Sequence, residues 1–314
     1  MFANSPARPA SFLALAAALL LGACAERDDA QGRESSGPPS VYTDAYHLHY
    51  FAERIGGDKI QAAFPAPDGL NPSRWRPGDD IIERYQNADL ILRSGASYAI
   101  WTRFASLPLA RTHDTSRAYA DRIIVIENAI THSHGPDGMH SHDGESPYTW
   151  LDPTLAIKQA RAVKTALIGL LPESEAELRA RFETLQTELS DLDREIASII
   201  GDRADAVFAT SHPVYHYFVR RYGLDAVDFH WEPDEMPDAE EWAALDRLLG
   251  ERSGRIMLWE DEVIPEIASA LRERGVIVAV VRIVDRRPPS GDFMSIMREN
   301  AASLRDAYET LGSR

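Results

Sequence analysis

The sequence predicts an α/β protein with two lobes, each built on a parallel sheet covered by helices. Short apolar runs alternate with helical patterns along the chain, and one long amphipathic helix lies near its middle. Such alternation favours parallel sheets, because a parallel strand pair needs a long crossover connection. No Gly-x-Gly-x-x-Gly motif follows any of the runs, which leaves a dinucleotide-binding fold without support.

The apolar runs mark the predicted strands of the two lobes. Each is short, rich in aliphatic or β-branched residues and flanked by a helical pattern. A helix is predicted over 79–87, directly before the first of them. In chain order, the runs are 88–92, 123–126, 206–209, 255–259 and 276–284.

The long central helix is predicted over 173–200, at roughly 40 Å in length. Its apolar residues recur at spacings of four and three and form one stripe. Ser174 and Glu177 have the spacing of a capping box. A coiled-coil dimer also fits the stripe, but the α/β patterns on both sides favour a brace between an N-terminal lobe, 41–172, and a C-terminal lobe, 201–314. The stripe consists of Leu178, Phe182, Leu185, Leu189, Leu192, Ile196 and Ile199.

The first 23 residues are predicted to be a signal peptide. An apolar run over 12–21 follows a single basic residue, Arg8, and is too short to span a bilayer. Small residues precede Cys24, the only cysteine, in a pattern that resembles a bacterial lipoprotein box. We expect lipidation of Cys24 and a disordered tether over 24–40; ordinary cleavage to a soluble periplasmic protein is the alternative.

The balance of charges argues against nucleic acid as a partner. The chain carries a formal net charge of −16 at neutral pH, and an acidic surface is compatible with a cationic ligand. A single cysteine excludes an internal disulfide and a cysteine-based metal site.

A histidine-rich loop over 131–142 points to metal handling. It holds four of the ten histidines of the chain, and neutral imidazole is a common zinc ligand. A solvated polar loop without a metal is the alternative interpretation. The four residues are His132, His134, His140 and His142.

Several motifs together resemble the zinc and manganese substrate-binding proteins of bacterial ABC importers, the ZnuA-like or TroA-like group. The resemblance implies two α/β lobes joined by a long rigid helix, with the metal in the cleft between them. It also implies a monomer that delivers its cation to a permease and its ATPase. The motifs are Ala88-Asp89-Leu90-Ile91, Trp150-Leu151-Asp152-Pro153, Ala209-Thr210-Ser211-His212, Val284-Asp285 and the segment 291–300.

The ligand set that the resemblance implies is only half present. The family has two histidines in the first lobe, a histidine or glutamate after Thr-Ser, and an aspartate near the end. His212 and Asp285 occupy the last two positions. Ser73 and Tyr148 stand where the first-lobe histidines are expected, and neither is a strong zinc ligand at neutral pH.

Other donors must therefore complete the site, since zinc takes about four ligands. The candidates are His47, just after a strand expected at the start of the folded part near Val41, His134 from the histidine-rich loop, and Glu232 in a proline-stiffened segment. His132, His140 and His142 are expected to form an accessory metal loop. Acidic residues 260–262 also follow a strand, but a solvated turn is the favoured interpretation for them.

The expected function is capture of a divalent cation, zinc before manganese, without catalysis. Adjacent Ser211 and His212 make a poor nucleophile and base, and no nucleophile elbow or compact metallohydrolase motif is present. Two alternatives remain. The cleft could hold a metal chelate or small anion against Arg74, Trp75 and Arg76, or the protein could be an adhesion or interaction lipoprotein that has lost the metal site.

Overall fold

The computed structural model of the chain describes residues 37–126, 131–133, 139–141, 144–232 and 235–313. The predicted signal peptide, Cys24, most of the predicted tether, His134 and His142 lie outside the described residues. No helix among the described residues is long and apolar enough to cross a membrane.

The first lobe is built on a four-stranded, fully parallel sheet. Its strand order is β2-β1-β3-β4, so β4 forms one edge. The helices α1 (Tyr46–Gly56) and α2 (Asp79–Asn87) lie between its strands in the chain, and α2 has the predicted bounds. The strands are β1 (Ser40–Thr43), β2 (Gln61–Ala63), β3 (Leu90–Arg93) and β4 (Thr112–Asp114).

The histidine-rich loop lies between short antiparallel strands. β5 (Val125–Ile126) pairs with β8 (Gly144–Glu145), and β6 (Thr131–Ser133) pairs with β7 (Met139–Ser141). The apolar run 123–126 therefore contributes only a two-residue strand to a hairpin. The parallel sheet is completed by β4, whose polar sequence carries no apolar run.

Two long helices follow, α3 (Pro153–Leu170) and α4 (Glu175–Ile200). The predicted apolar stripe of α4 is buried, except that Ile200 is buried in place of the partly exposed Ile199. The helix α4 packs against α3, α1 and the C-terminal helix. These contacts within one chain support the brace.

The predicted capping box at the start of α4 is wrong. Ser174 makes no side-chain cap, because a 3₁₀ turn over Pro172–Ser174 precedes the helix. Glu177 instead pairs with Arg181 at 2.6 Å.

The second lobe repeats the architecture of the first. Its sheet has the order β10-β9-β11-β12, and every pair is parallel. The strands are β9 (Val207–Thr210), β10 (Val227–Asp228), β11 (Ile256–Trp259) and β12 (Ile277–Val280). The helices are α5 (His216–Tyr222), α6 (Ala239–Glu251), α7 (Pro265–Glu273) and α8 (Phe293–Gly312).

Buried hydrogen bonds connect the two lobes beside Asp285. Trp150 Nε1 donates to the carbonyl of Ile283 at 2.7 Å, and the Tyr98 hydroxyl donates to the carbonyl of Asp285 at 3.1 Å. Both acceptors lie in the segment after β12. The first lobe therefore holds the backbone that carries Asp285.

Candidate metal centre

Three potential metal ligands meet at the carboxyl end of the second sheet: His212, Glu232 and Glu260. One ligand atom from each lies within 4.8 Å of the other two. Among the described residues, this is the only group of three or more histidine, cysteine or carboxylate donors that could hold a metal ion. One imidazole and two carboxylates are ordinary ligands for a divalent transition metal.

Backbone pairing beyond the strand ends brings these side chains together. The Ser211 amide donates to the Leu258 carbonyl at 2.8 Å, which keeps the segment after β9 beside the end of β11. The Trp231 amide donates to the Ser211 carbonyl at 2.7 Å. His212 and Glu232 therefore become neighbours, and Glu260 follows the last residue of β11 directly. Carboxyl ends of parallel strands are the usual ligand side of an open α/β sheet.

Electrostatics at Glu260 show that the cluster is short of positive charge. Burial, together with the nearby charges of Glu232 and Asp285, raises the pKa of Glu260 from 4.5 to about 8. A bound cation reverses this balance, because it favours the ionised form of every carboxylate around it.

Asp285 is a third acidic group next to this cluster. It is 1% exposed, and Oδ1 accepts a hydrogen bond from Arg286 Nε at 3.1 Å. Oδ2 is buried without a hydrogen-bond partner among the described residues, and burial raises the pKa of the carboxyl. The preceding residue, Val284, has a φ of +53°, which is strained for a β-branched side chain. An orphaned carboxylate oxygen held on strained backbone is a feature expected of a ligand site.

Neither family position in the first lobe supplies a strong ligand. Ser73 is buried, and its hydroxyl donates to Asn71 Oδ1 at 2.7 Å. Tyr148 lies close enough to Asp285 and Glu260 for their charges to act on it, and burial with these charges raises its pKa above 10.0. Tyr148 is therefore a neutral phenol near the acidic groups.

His47 lies in the aromatic core of the first lobe, and the structure does not bring it into the cluster. It belongs to α1, is fully buried, and stacks on Trp150 with ring centroids 4.0 Å apart. Burial lowers its pKa well below 6.5. Both ring nitrogens lack a hydrogen-bond partner among the described residues.

The predicted accessory loop is described only in part. His132 of β6 stands opposite His140 of β7 in the antiparallel register. His134 and His142 fall outside the described residues. The metal-binding roles of all four remain predictions.

A chain of polar contacts links the first lobe to the segments that carry His212 and Glu232. Ser146 Oγ lies 3.2 Å from His216 Nδ1, and His216 Nε2 lies 3.4 Å from Asp228 Oδ2. The Thr210 hydroxyl donates to Asp228 Oδ1 at 2.6 Å and contacts the His212 carbonyl at 3.1 Å. Ser146 is fully buried, and these contacts hold the segments together.

Of the ligands predicted from sequence, His212 and Glu232 come together, and Asp285 acts electrostatically on the same group. Glu260 was not among the predicted ligands. The available signal was its place directly after an apolar run, at the carboxyl end of a strand.

Comparison with known proteins places these features in a family. A family model described as "Zinc-uptake complex component A periplasmic" matches residues 41–307. The chain is 21% identical over 254 residues to the high-affinity zinc uptake system protein ZnuA of Yersinia pestis, covering 74% of this chain and 78% of that protein. It is 25% identical over 230 residues to the manganese ABC transporter substrate-binding lipoprotein PsaA of Streptococcus pneumoniae, covering 71% of each.

Solved structures share the fold. The Zn(II)-bound ZnuA-like domain of Streptococcus pneumoniae AdcA superposes with a TM-score of 0.72 at 19% identity, covering 87% of this chain and all 100% of that one. The periplasmic zinc-binding protein TroA from Treponema pallidum gives 0.68 at 20% identity, with 87% and 99% covered. These likenesses confirm the two-lobed α/β fold.

Proposed function

Because the chain belongs to the zinc-uptake family of periplasmic, metal-binding components of ABC transporters, we propose that it captures a divalent cation with His212, Glu232 and Glu260. Asp285 is the proposed fourth donor. The cation then passes to the permease of an importer driven by its ATPase, and no bond is made or broken in the bound cargo. The family is one of transport components and not of enzymes.

The observation that carries the proposal is the compact donor set at the strand ends. Three ligand atoms within 4.8 Å of one another can share a single ion. The unpartnered Oδ2 of Asp285 and the raised pKa of Glu260 both indicate missing positive charge. One imidazole with three carboxylates would satisfy the four-coordinate preference of zinc.

Zinc is the proposed cargo, and manganese is the second candidate. A buried imidazole suits zinc, whereas an excess of carboxylate oxygens suits manganese. The chain is similar both to a zinc uptake protein and to a manganese transporter lipoprotein. Direct competition between the two ions therefore tests the choice, since the donor set accommodates both.

The test is the metal content of the protein after chelator treatment and reloading. We expect one equivalent of zinc, retained in competition with excess manganese. Glu232→Gln should weaken zinc binding by about tenfold or more, because it removes a charged donor. Glu235→Gln is the matched control, since Glu235 is exposed and close in sequence. Equal affinity of Glu232→Gln and the parent protein would exclude this site.

The same experiment separates the two alternative functions. Loading that requires an added anion would support a metal chelate held with Arg74, Trp75 and Arg76. Absence of stoichiometric metal under every condition would support an adhesion or interaction lipoprotein.

We further propose that Cys24 carries the lipid that anchors the protein to the membrane, facing the periplasm. Several relatives are named as lipoproteins. Cys24→Ser should abolish incorporation of labelled palmitate and release the protein to the soluble fraction. Retention of label in that variant would refute the anchor.

A further inference from the structure

A cavity of about 800 Å³ lies in the first lobe, between helix α3 and edge strand β4. It shares no lining residue with the cluster of His212, Glu232 and Glu260. We call it the α3–β4 groove. Its volume falls in the range of about 300–1,000 Å³ that ligand sites occupy.

The rim of the groove is cationic in a strongly acidic protein. Arg111, Arg117, Lys158 and Arg161 line it, although the whole chain has a net charge of −16. Within the described part of the chain, neither Arg117 nor Lys158 forms an ion pair. Arg111 donates to the carbonyls of Ala88 and Gln86, which fixes its position without neutralising its charge.

The two carboxylates in the groove are committed to neighbouring polar groups. Asp89 Oδ2 accepts from the amide and hydroxyl of Ser40 at 2.8 and 2.9 Å. Asp114 Oδ1 accepts from the amide and hydroxyl of Ser116 at 3.0 and 2.6 Å. Four cationic side chains and two carboxylates give the groove a net positive charge. Because no ion pair joins these acids to these cations in the described structure, the cationic side chains remain available to an anionic ligand.

The positive charges are spread along the groove. Lys158 to Leu170, the part of α3 that lines it, extends over about 18 Å at 1.5 Å per residue. Arg111 precedes β4 and Arg117 follows it, so they lie at opposite ends of that strand. Leu90, Ala162 and Ala166 provide apolar surface between them. This distribution suits a chain with several anionic groups better than a single small anion.

We propose that the α3–β4 groove binds an acidic, extended segment of a partner protein. About six residues at 3.3 Å each would match the length of the groove. β4 pairs only with β3 in the described sheet, so its outer edge is open to an additional strand. Among the described lining residues, His113 carries the one ring, and there is no phenylalanine, tyrosine or tryptophan; a single-stranded nucleic acid would need several such rings for stacking.

The test uses the purified full chain and a rhodamine-labelled hexapeptide of alternating glutamate and valine. We expect fluorescence anisotropy to show saturable binding that weakens with salt. Arg117→Glu with Lys158→Glu should reduce affinity by about tenfold or more, because two attractions become repulsions. Arg272→Glu is the control, since Arg272 is exposed on α7 in the other lobe. Lys158→Gln gives a milder variant should the double charge reversal unfold the protein.

Several results would overturn the proposal. These are no binding of the acidic peptide, equal weakening by Arg272→Glu, or equal binding of the lysine–valine counterpart. Inorganic phosphate or an oligothymidylate that displaces the peptide at equal concentration would reassign the groove to those ligands. Zinc affinity is measured in parallel and should not change in the groove variants, so this proposal and the metal site are tested separately.

Discussion

Replacing Glu260 by glutamine should stabilise the metal-free protein while it weakens the metal site. The carboxyl of Glu260 is buried beside Glu232 and Asp285, and these surroundings raise its pKa from 4.5 to about 8. An ionised carboxylate is therefore unfavourable in the apoprotein. The same carboxylate is a proposed ligand, so a cation makes it favourable.

The magnitude follows from the difference in pKa between the folded and unfolded states. Each pH unit corresponds to about 1.4 kcal/mol, so an elevation from 4.5 to about 8 amounts to about 5 kcal/mol of lost stability above pH 8. Between these values the native state binds more protons than the unfolded state, and the free energy of unfolding falls as pH rises. Relaxation of the site would reduce the observed effect, and we expect about 2–5 kcal/mol at pH 8.5.

The assay is urea unfolding of chelator-treated protein at pH 4.5 and pH 8.5. Glu260→Gln should gain stability relative to the parent protein at the higher pH and much less at the lower one. Glu262→Gln is the control, because Glu262 is exposed two residues away and should change neither measurement. A stability difference that is independent of pH, or zinc affinity equal to that of the parent protein, would refute the reasoning.

Three further predictions concern the same site. His212→Ala should weaken zinc binding at least about tenfold in competition with a chromophoric chelator, and unchanged affinity would exclude His212 as a ligand. Deleting 131–142 should leave zinc affinity within about threefold, because the three clustered donors lie outside the loop; a larger loss would show that a loop histidine completes the site. His216→Ala should speed zinc release in stopped-flow measurements, because it breaks the contacts from Ser146 to Asp228, and His216→Gln should restore part of the parent rate. If the zinc release rates of both His216 variants simply change in step with their thermal stability, His216 has no separate role in positioning the site.

The extent to which the fold follows from sequence depends on how each strand is buried. Interior strands β9 and β11 are buried at every position, so their apolar runs predicted them. Edge strand β4 has polar or partly exposed residues throughout and produced no such run. The run 123–126 is apolar but enters a hairpin, and its Val125 is 62% exposed. Apolar runs therefore identified the buried strands β9 and β11 and also the apolar edge strand β12, but they gave no signal for the polar edge strand β4.

The site was predictable where a ligand belongs to a motif. His212 and Asp285 were assigned by the resemblance, and Glu232 by its place in a segment next to the expected site. Glu260 reaches the cluster through the pairing of β9 with β11, which is a contact between distant parts of the chain. Residue spacing along the sequence carries no information on that pairing, so the exposed-turn interpretation was favoured there.

The origin of the donors has a consequence for how the cation is held. His212, Glu232 and Glu260 all come from the second lobe, whereas the family site draws two histidines from the first. Here the first lobe contributes the neutral phenol of Tyr148 and the hydrogen bond from Tyr98 to the Asp285 backbone. We therefore expect the first lobe to act on the proposed site by fixing the backbone of Asp285. If the proposed site is correct, we expect the affinity for the cation to depend mainly on the spacing of donors at one sheet edge, and the contacts between the lobes to control how readily the ion leaves.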